Sequence, residues 1–258
     1  MALLAVSGVR KNYGPIAVLK GVSFAIEGGG SFAVIGPNGA GKTTLLKVIT
    51  GEVATDAGEI RFADRRVTAE PAHLRVRAGI GRTFQVSRVF PESTVLENAV
   101  IAVEARMRNR GQSVGRIRDI RPTAPVREEA EARLQAMGLE GRRHLPAGFL
   151  AHGDKKRLEL ALALALEPRL LVMDEPTAGM SPAERRRTVE LVAGLREASG
   201  LTLLLTEHDM GVVYELADRL LVLNYGAAIA EGTPAEVRDD KLVREVYLGQ
   251  EMIHAQGH

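Results

Sequence analysis

The chain has no cysteine and no tryptophan, and aromatic residues make up only 4% of its 258 positions. Without cysteine there is no disulfide framework, no zinc ribbon and no thiol nucleophile. So few rings offer little to stack on bases, and a nucleic-acid partner is not expected. An excess charge of one sign is also missing. The 34 Lys and Arg stand against 32 Asp and Glu, and a net charge of +2 makes no strong field by itself. Long apolar runs are absent as well. The longest candidate, 160–166, is flanked by Lys155, Lys156, Arg157, Glu159 and Glu167, whereas a membrane helix needs about 20 apolar residues. The start, Met1-Ala2-Leu3-Leu4-Ala5-Val6 and on to Arg10-Lys11, lacks the basic and apolar regions of a secretory leader. What is present is ordinary globular composition, 45% hydrophobic and 26% charged, with enough chain to bury a core. A soluble, cytoplasmic chain is the expectation.

Three short apolar runs stand out: Phe32-Ala33-Val34-Ile35, Leu170-Leu171-Val172-Met173 and 201–205. Each ends in polar or glycine residues and is followed by a stretch of helical character. Continuous apolar strands alternating with helices read as a parallel sheet covered on both faces, an α/β fold. In such sheets ligands bind beyond the carboxyl ends of the strands. There the sequence places Gly36-Pro37-Asn38, Asp174-Glu175 and Thr206-Glu207-His208. From about 91 to 150 the strand-like runs disappear. Segments 96–110 and 126–137 read as helices, the second laced with pairs such as Glu129–Arg133. Between them, Gly111-Gln112-Ser113-Val114-Gly115 and then Arg116, Arg118 and Arg121 read as a basic loop, and the basic segment 106–121 as a whole is expected to be solvated loop. This block is a helical subdomain inserted into the α/β core.

Gly36-Pro37-Asn38-Gly39-Ala40-Gly41-Lys42-Thr43 fits GxxxxGK[ST], with a strand before it and a helix from about 42 to 49 after it. Glycines let successive backbone N–H groups turn inward on phosphate oxygens, and the helix start adds partial positive charge. Lys42 suits the β- and γ-phosphates and the Thr43 hydroxyl suits Mg²⁺. A glycine-rich turn would match this pattern by chance on the order of one per cent of the time in such a chain. Asp174 and Glu175 end a buried strand, where neighbours point to opposite sides and so divide the work. Asp174 fits a Mg²⁺-linked role and Glu175 could polarise an attacking water. Alone, such a pair is usually a helix cap or solvated turn. Downstream of a phosphate loop the balance reverses. His208, at what should be a neighbouring strand end, is a candidate for the γ-phosphate.

Taken together these residues resemble the nucleotide-binding subunits of ATP-binding-cassette (ABC) transporters, in the family's order and over nearly the whole chain. Tyr13, in Lys11-Asn12-Tyr13-Gly14, is similar to the aromatic that stacks on adenine. Gln85, in Arg82-Thr83-Phe84-Gln85, is similar to the glutamine linking γ-phosphate and Mg²⁺ to the membrane partner. Leu150-Ala151-His152-Gly153-Asp154 sits where the signature loop belongs, Ala178-Gly179-Met180-Ser181 at the D-loop, and His208 at the switch histidine. The signature loop departs from the usual Leu-Ser-Gly-Gly-Gln. Ala151 has no hydroxyl for the γ-phosphate, so the donors left are backbone N–H groups around Gly153 and the start of the following helix. Asp154 is expected to cap that helix and His152 to be a tolerated loop residue. Several segments look like the cassettes of high-affinity branched-chain amino-acid importers: Gly79-Ile80-Gly81-Arg82-Thr83-Phe84-Gln85, the basic insertion 106–121, Asp174-Glu175-Pro176-Thr177-Ala178-Gly179-Met180, Glu207-His208-Asp209-Met210 and Tyr247-Leu248-Gly249.

The resemblance implies one ATPase domain, a P-loop NTPase with a mostly parallel sheet and an antiparallel β subdomain. Its core would be 1–90 and 155–258, with a helical subdomain 91–154 ending in the signature loop. ATP would sit on Tyr13, Gly36, Pro37, Asn38, Gly39, Ala40, Gly41, Lys42, Thr43, Thr44 and Asp174, with Gly153 facing the partner subunit's nucleotide. Thr43, Gln85 and (through water) Asp174 would hold Mg²⁺. Glu175, His208 and Gln85 would act in hydrolysis. The implied partners are a second cassette, identical or not, transmembrane permease subunits contacting the region 85–92 and the helical block, and indirectly a solute-binding protein. The cassette would then lie on the cytoplasmic face of the membrane through its permease. Related cassettes serve urea, amides or aromatic acids. A soluble ABC ATPase usually has two cassettes or a long coiled coil, and a small-molecule kinase would leave 150–154, Gln85 and His208 unexplained.

Overall fold

The computed structural model describes residues 2–83, 89–112, 114 and 122–245. The apolar runs with no alternation lie at the centre of its larger sheet. There β3 (Ser31–Ile35), β7 (Leu170–Asp174) and β8 (Thr202–Thr206) are buried at every position. A strand covered on both faces has no solvent side and needs no polar alternation. Successive side chains nevertheless part to opposite faces. Ala33, Ile35, Leu171, Met173, Leu203 and Leu205 join one core cluster, while Phe32, Val34, Leu170, Val172 and Leu204 join the other.

The six-stranded sheet runs β10 (Ala227–Gly232), β9 (Arg219–Asn224), β3, β8, β7, β6 (Ile80–Arg82). All its pairings are parallel except the β9–β10 hairpin. A second, antiparallel sheet has the order β2 (Ile16–Glu27), β1 (Ala2–Tyr13), β4 (Ala57–Phe62), β5 (Arg65–Arg66). Its inner face, with Leu4, Val6, Phe24 and Ile60, closes the second core over α1 (Lys42–Thr50), which contributes Leu45, Leu46 and Ile49. The fold is therefore α/β with a mostly parallel sheet and an antiparallel one, as expected. β8 lies between β3 and β7, so the segments after all three strands emerge side by side.

Between β6 and β7 come α3 (Val95–Asn109), α4 (Ala124–Ala136) and α5 (His152–Ala165), which pack on one another through Val95, Ala99, Val103, Val126, Ala130 and Leu158. Thr94 starts α3 with a capping box to Glu97, one residue earlier than the apolar pattern suggests. Pro125 sits in the first turn of α4, where its missing N–H costs nothing. The remaining helices are α2 (Ala72–Ala78), α6 (Pro182–Ser199), α7 (Met210–Leu216) and α8 (Pro234–Asp239), with 3₁₀ turns at Glu140–Arg142 and Ala147–Phe149.

The basic segment 106–121, expected as a solvated loop, departs from that at its start. Arg106 lies inside α3, buried, paired with Glu129 and with Glu167 at 3.1 Å. Arg110 and Arg133 reach the same Glu167 at 2.6 and 3.2 Å, which ties α3 and α4 to the turn before β7. The apolar pattern of α3 is what turns Arg106 inward, and the acidic turn gives it partners. Residues 115–121 and 247–249 lie outside the described residues. No described helix is long and apolar enough to cross a membrane.

Candidate active site

The phosphate loop leaves β3 at Gly36, whose φ is 147° and whose hydrogen points at the Leu223 carbonyl, so a Cβ there would collide with backbone. The loop ends at Gly41, φ 105°, the cap residue of α1, where a Cβ would come within 2.9 Å of the Val18 carbonyl. No side chain caps α1 and no acid sits in its first turn, so its leading N–H groups and dipole are left for an anion. The space over the crest is open: a Cβ on Gly39 would meet nothing within 4 Å. Residues 38–44 line a cleft of about 490 Å³ together with Tyr13, Val18 and Glu175. A larger cavity of about 600 Å³ opens at the other ends of the strands, beside Gly29, Arg133 and Arg169, and holds none of these residues.

Lys42 is buried, and its Nζ donates to the Gly36 carbonyl at 2.6 Å and the Pro37 carbonyl at 3.0 Å, curling back over the loop. Burial lowers its pKa from the ordinary lysine value, and the charges of Glu175 and Asp174 oppose that shift. The loop brings together backbone donors, an ammonium group and the hydroxyls of Thr43 and Thr44. That set fits a polyphosphate. Among the described residues no group of three or more His, Cys, Asp or Glu could cage a metal. Mg²⁺ typically keeps waters and takes one or two protein ligands beside phosphate oxygens. Thr43 and Asp174 fit that mode.

Asp174, the last residue of β7, is almost wholly buried. Its Oδ1 accepts from Thr206 Oγ1 at 2.8 Å and lies 3.5 Å from Thr43 Oγ1, and its Oδ2 lies 3.4 Å from Arg82 Nη2. Glu175 has left the strand. Its φ of 51° is uncommon for a residue with a side chain, and its N–H donates to the Thr206 carbonyl at 3.1 Å. The two acids therefore divide through a kink rather than through strand alternation, with Glu175 on the cleft wall. Its Oε1 is 2.8 Å from His208 Nε2. A carboxylate only accepts, so the ring proton sits on that nitrogen.

Three residues to which the sequence assigns no role of their own support this group. Thr206 links Asp174 to Glu175. Glu207, buried, accepts from Thr177 N–H at 2.9 Å and Thr177 Oγ1 at 2.6 Å, and its Oε2 accepts from the His208 N–H at 3.2 Å, so it joins the turn after Glu175 to the histidine. Arg82 holds the far side of Asp174. A Thr, Glu or Arg beside a motif carries no signal in one dimension, because its role arises from packing between strands.

Tyr13 ends β1, half-exposed at the cleft, with Lys11 Nζ 5.6 Å from its ring centroid and Lys11 itself held by Asp56 at 2.7 Å. Gln85 lies outside the described residues. At the expected signature loop, α5 starts at His152 with Ala151 as a cap residue that makes no side-chain bond. Asp154 is not the cap. It sits inside the first turn and pairs with Arg157 and, at 2.7 Å, with Arg142. The helix begins two residues earlier than expected, which moves Asp154 past the cap position. His152 Nε2 lies 3.1 Å from the Ala178 carbonyl and packs on Gly179, so it touches the D-loop of its own chain. Gly153 is buried under Glu184 of α6. The described groups thus fall into two sets: loop, acids and histidine around one cleft, and 151–154 packed on 178–184.

A family model described as "ABC transporter" matches residues 19–178. The chain belongs to the ABC transporter family. Within it, a model described as "Branched-chain amino acid ATP-binding cassette transporter" matches residues 229–252. The cassette is 37% identical over 251 residues to the high-affinity branched-chain amino acid transport ATP-binding protein BraF of Pseudomonas aeruginosa, covering 96% of this chain and 98% of that one. It is 36% identical, with the same coverage, to the corresponding protein LivG of Salmonella typhimurium. A solved ATP-binding cassette of an ABC transporter in its ADP conformation superposes with a TM-score of 0.84 at 32% identity, covering 96% of this chain and 99% of that one.

Proposed function

We propose that this cassette is the ATP-hydrolysing subunit of an importer for branched-chain amino acids. The carrying observation is the match at both levels. Relatives named for that transport align end to end, and the separate model for 229–252 matches residues beyond the 19–178 span of the broader one. Tyr13 stacks on the base, and the loop from Gly36 to Thr44 wraps the phosphates with N–H groups, Lys42 and hydroxyls. Bound Mg²⁺ would neutralise charge on the phosphate oxygens. Thr43 and, through water, Asp174 would hold it, with Gln85 as the third proposed ligand. Glu175 holds the attacking water and takes its proton, and the Nε2–H of His208 orients that carboxylate and the γ-phosphate.

A single cassette leaves one side of a bound triphosphate without donors. A second cassette would cover it with the amides around its own Gly153, so ATP closes the pair and hydrolysis, by splitting the charge, reopens it. None of the described helices is long and apolar enough to cross a membrane, and in this reading force passes to a permease. The region 85–92 and the helical block are the proposed contacts, which places the cassette peripherally on the cytoplasmic face. A solute-binding protein would act on the far side.

The test is uptake of labelled leucine, isoleucine and valine into liposomes holding the cassette with its permease and solute-binding protein, ATP being supplied on the cassette side. ATP-dependent uptake that is lost in Glu175→Gln is expected. Hydrolysis that drives none of the three but drives another solute would overturn the substrate assignment.

A further inference from the structure

Arg82 closes β6 at the edge of the parallel sheet, and its guanidinium group reaches two places at once. Nη1 donates to Thr50 Oγ1 at 3.1 Å and to Glu52 just beyond α1, while Nη2 lies 3.4 Å from Asp174 Oδ2. Both side chains are nearly sealed from solvent, 7% exposed for Arg82 and 2% for Asp174, so salt does little to screen the pair. The other oxygen of the carboxylate is taken by Thr206 at 2.8 Å and faces Thr43. Asp174 is therefore held from both sides. Thr206 sets one oxygen and Arg82 the other, and the plane between them aims Oδ1 at the mouth of the phosphate loop. A carboxylate on a short side chain has one χ1 and one broad χ2 torsion, so two opposed partners are enough to fix it. The same arginine lines an apolar groove with Phe90, Ile101 and Leu162.

We infer that Arg82 is a positioning residue for Asp174, fixing which carboxylate oxygen is presented to the metal-nucleotide complex. This rests on the proposal that Asp174 faces Mg²⁺. The fork geometry matters as much as the charge. Lysine is a point charge and cannot hold Glu52 and Asp174 together as a planar five-donor group does.

The experiment is ATPase activity of the intact cassette against Mg²⁺ and against ATP, for the parent, Arg82→Met, Arg82→Lys and Asp174→Asn. Calorimetric binding of ATP without Mg²⁺ is measured alongside. Arg82→Met is expected to raise the Mg²⁺ needed for half-maximal turnover and to lower kcat, each by about tenfold, the low end of what losing an outer partner of a metal-facing ligand costs. Metal-free ATP binding should not change. Arg82→Lys should fall between Arg82→Met and the parent. If the methionine variant does not fold, the lysine variant carries the test on the same readouts. An Arg82→Met protein that melts earlier but keeps the parent's Mg²⁺ dependence and kcat overturns the inference and leaves a structural role. A strong Asp174→Asn effect beside that silent arginine overturns this inference alone. An Asp174→Asn protein with the parent's Mg²⁺ dependence overturns the site reading together with it.

Discussion

The carboxyl end of the parallel sheet and the start of α5 are built from similar parts and finished to different degrees. At the sheet end, β3, β7 and β8 deliver the phosphate loop, two acids and a histidine to one cleft. The charged groups there are held: Asp174 by Thr206 and Arg82 of the flanking strands, Glu175 by His208 just past β8, and Lys42 by two carbonyls of its own loop. At the start of α5 an uncapped helix N-terminus packs on the chain's own D-loop, with His152 on Ala178 and Gly153 under Glu184. The first region holds what the proposed hydrolysis needs apart from nucleotide, metal and the Gln85 contact. The second has donors and no ligand-facing side chain. The proposed second cassette would bring a nucleotide to those donors.

The sharpest break between the two regions is Glu175→Gln. The substitution keeps shape, hydrogen-bonding reach to His208 and the kink at Thr206, and removes the acceptor for the water's proton. Turnover is expected to fall by roughly 10²–10⁴, the scale of general-base help, while MgATP binding persists. Single-turnover hydrolysis alongside calorimetry checks it. With the nucleotide retained, this variant should also dimerise with ATP in analytical ultracentrifugation. A protein that hydrolyses at the parent's rate removes Glu175 as the base, and one that stays monomeric at saturating ATP removes the shared-nucleotide account of α5.

Legibility in the sequence follows the same division. The phosphate loop could be read because its chemistry is contiguous: glycines, lysine and threonine act within a single turn of chain. The sheet could be read because β3, β7 and β8 are buried on both faces and so lack alternation. The bonds that Thr206, Glu207 and Arg82 make are not legible, since their partners are set by strand order, and nothing in three separate apolar runs says that β8 lies in the middle. The expectations for Asp154 and His152 fail for a related reason. The apolar pattern of α5 places the body of the helix but not its first turn, and the start at His152 turned an expected cap into an ion-paired residue and an expected bystander into a D-loop contact. The basic neighbours of Arg106 mark a solvated segment, although the face of α3 it occupies points inward.

The next contrast concerns the glycines. Gly36→Ala places a Cβ against the backbone carbonyl of Leu223 at a φ of 147°, where neither partner can yield. Gly153→Ala places one 2.6 Å from Glu184 Oε1, the end of a flexible side chain. Overpacking on a rigid neighbour costs about 1–3 kcal/mol, so Gly36→Ala should lower stability by that much and abolish MgATP binding. Gly153→Ala needs only to displace Glu184 from its box with Ser181, about 1 kcal/mol for a lost cap. Denaturant melts of the two variants give the comparison directly. Equal losses would mean that the start of α5 is as rigid as the phosphate loop.

The smallest effect is a pH dependence confined to one side. Ser181 and Glu184 form a capping box at α6. The Ser181 side chain and backbone donate to Glu184 and hold its pKa below the ordinary 4.5. A depressed carboxylate pKa stabilises the fold above the unfolded value, and that contribution is lost as pH falls from about 4.5 through the folded value. Below that pH Glu184 protonates, the box opens, and the contact over Gly153 loosens with it. α1, which follows the phosphate loop, has no acid in its first turn to protonate in that range. Hydrogen exchange followed by mass spectrometry should therefore show peptides over 151–157 and 181–187 speeding up in mild acid before peptides over 36–45 do. Glu184→Gln should flatten that difference, because its amide has no charge to lose. If the phosphate loop opened first, the more labile region would be the sheet end, and the contrast between a completed cleft and a surface awaiting its partner would run the other way.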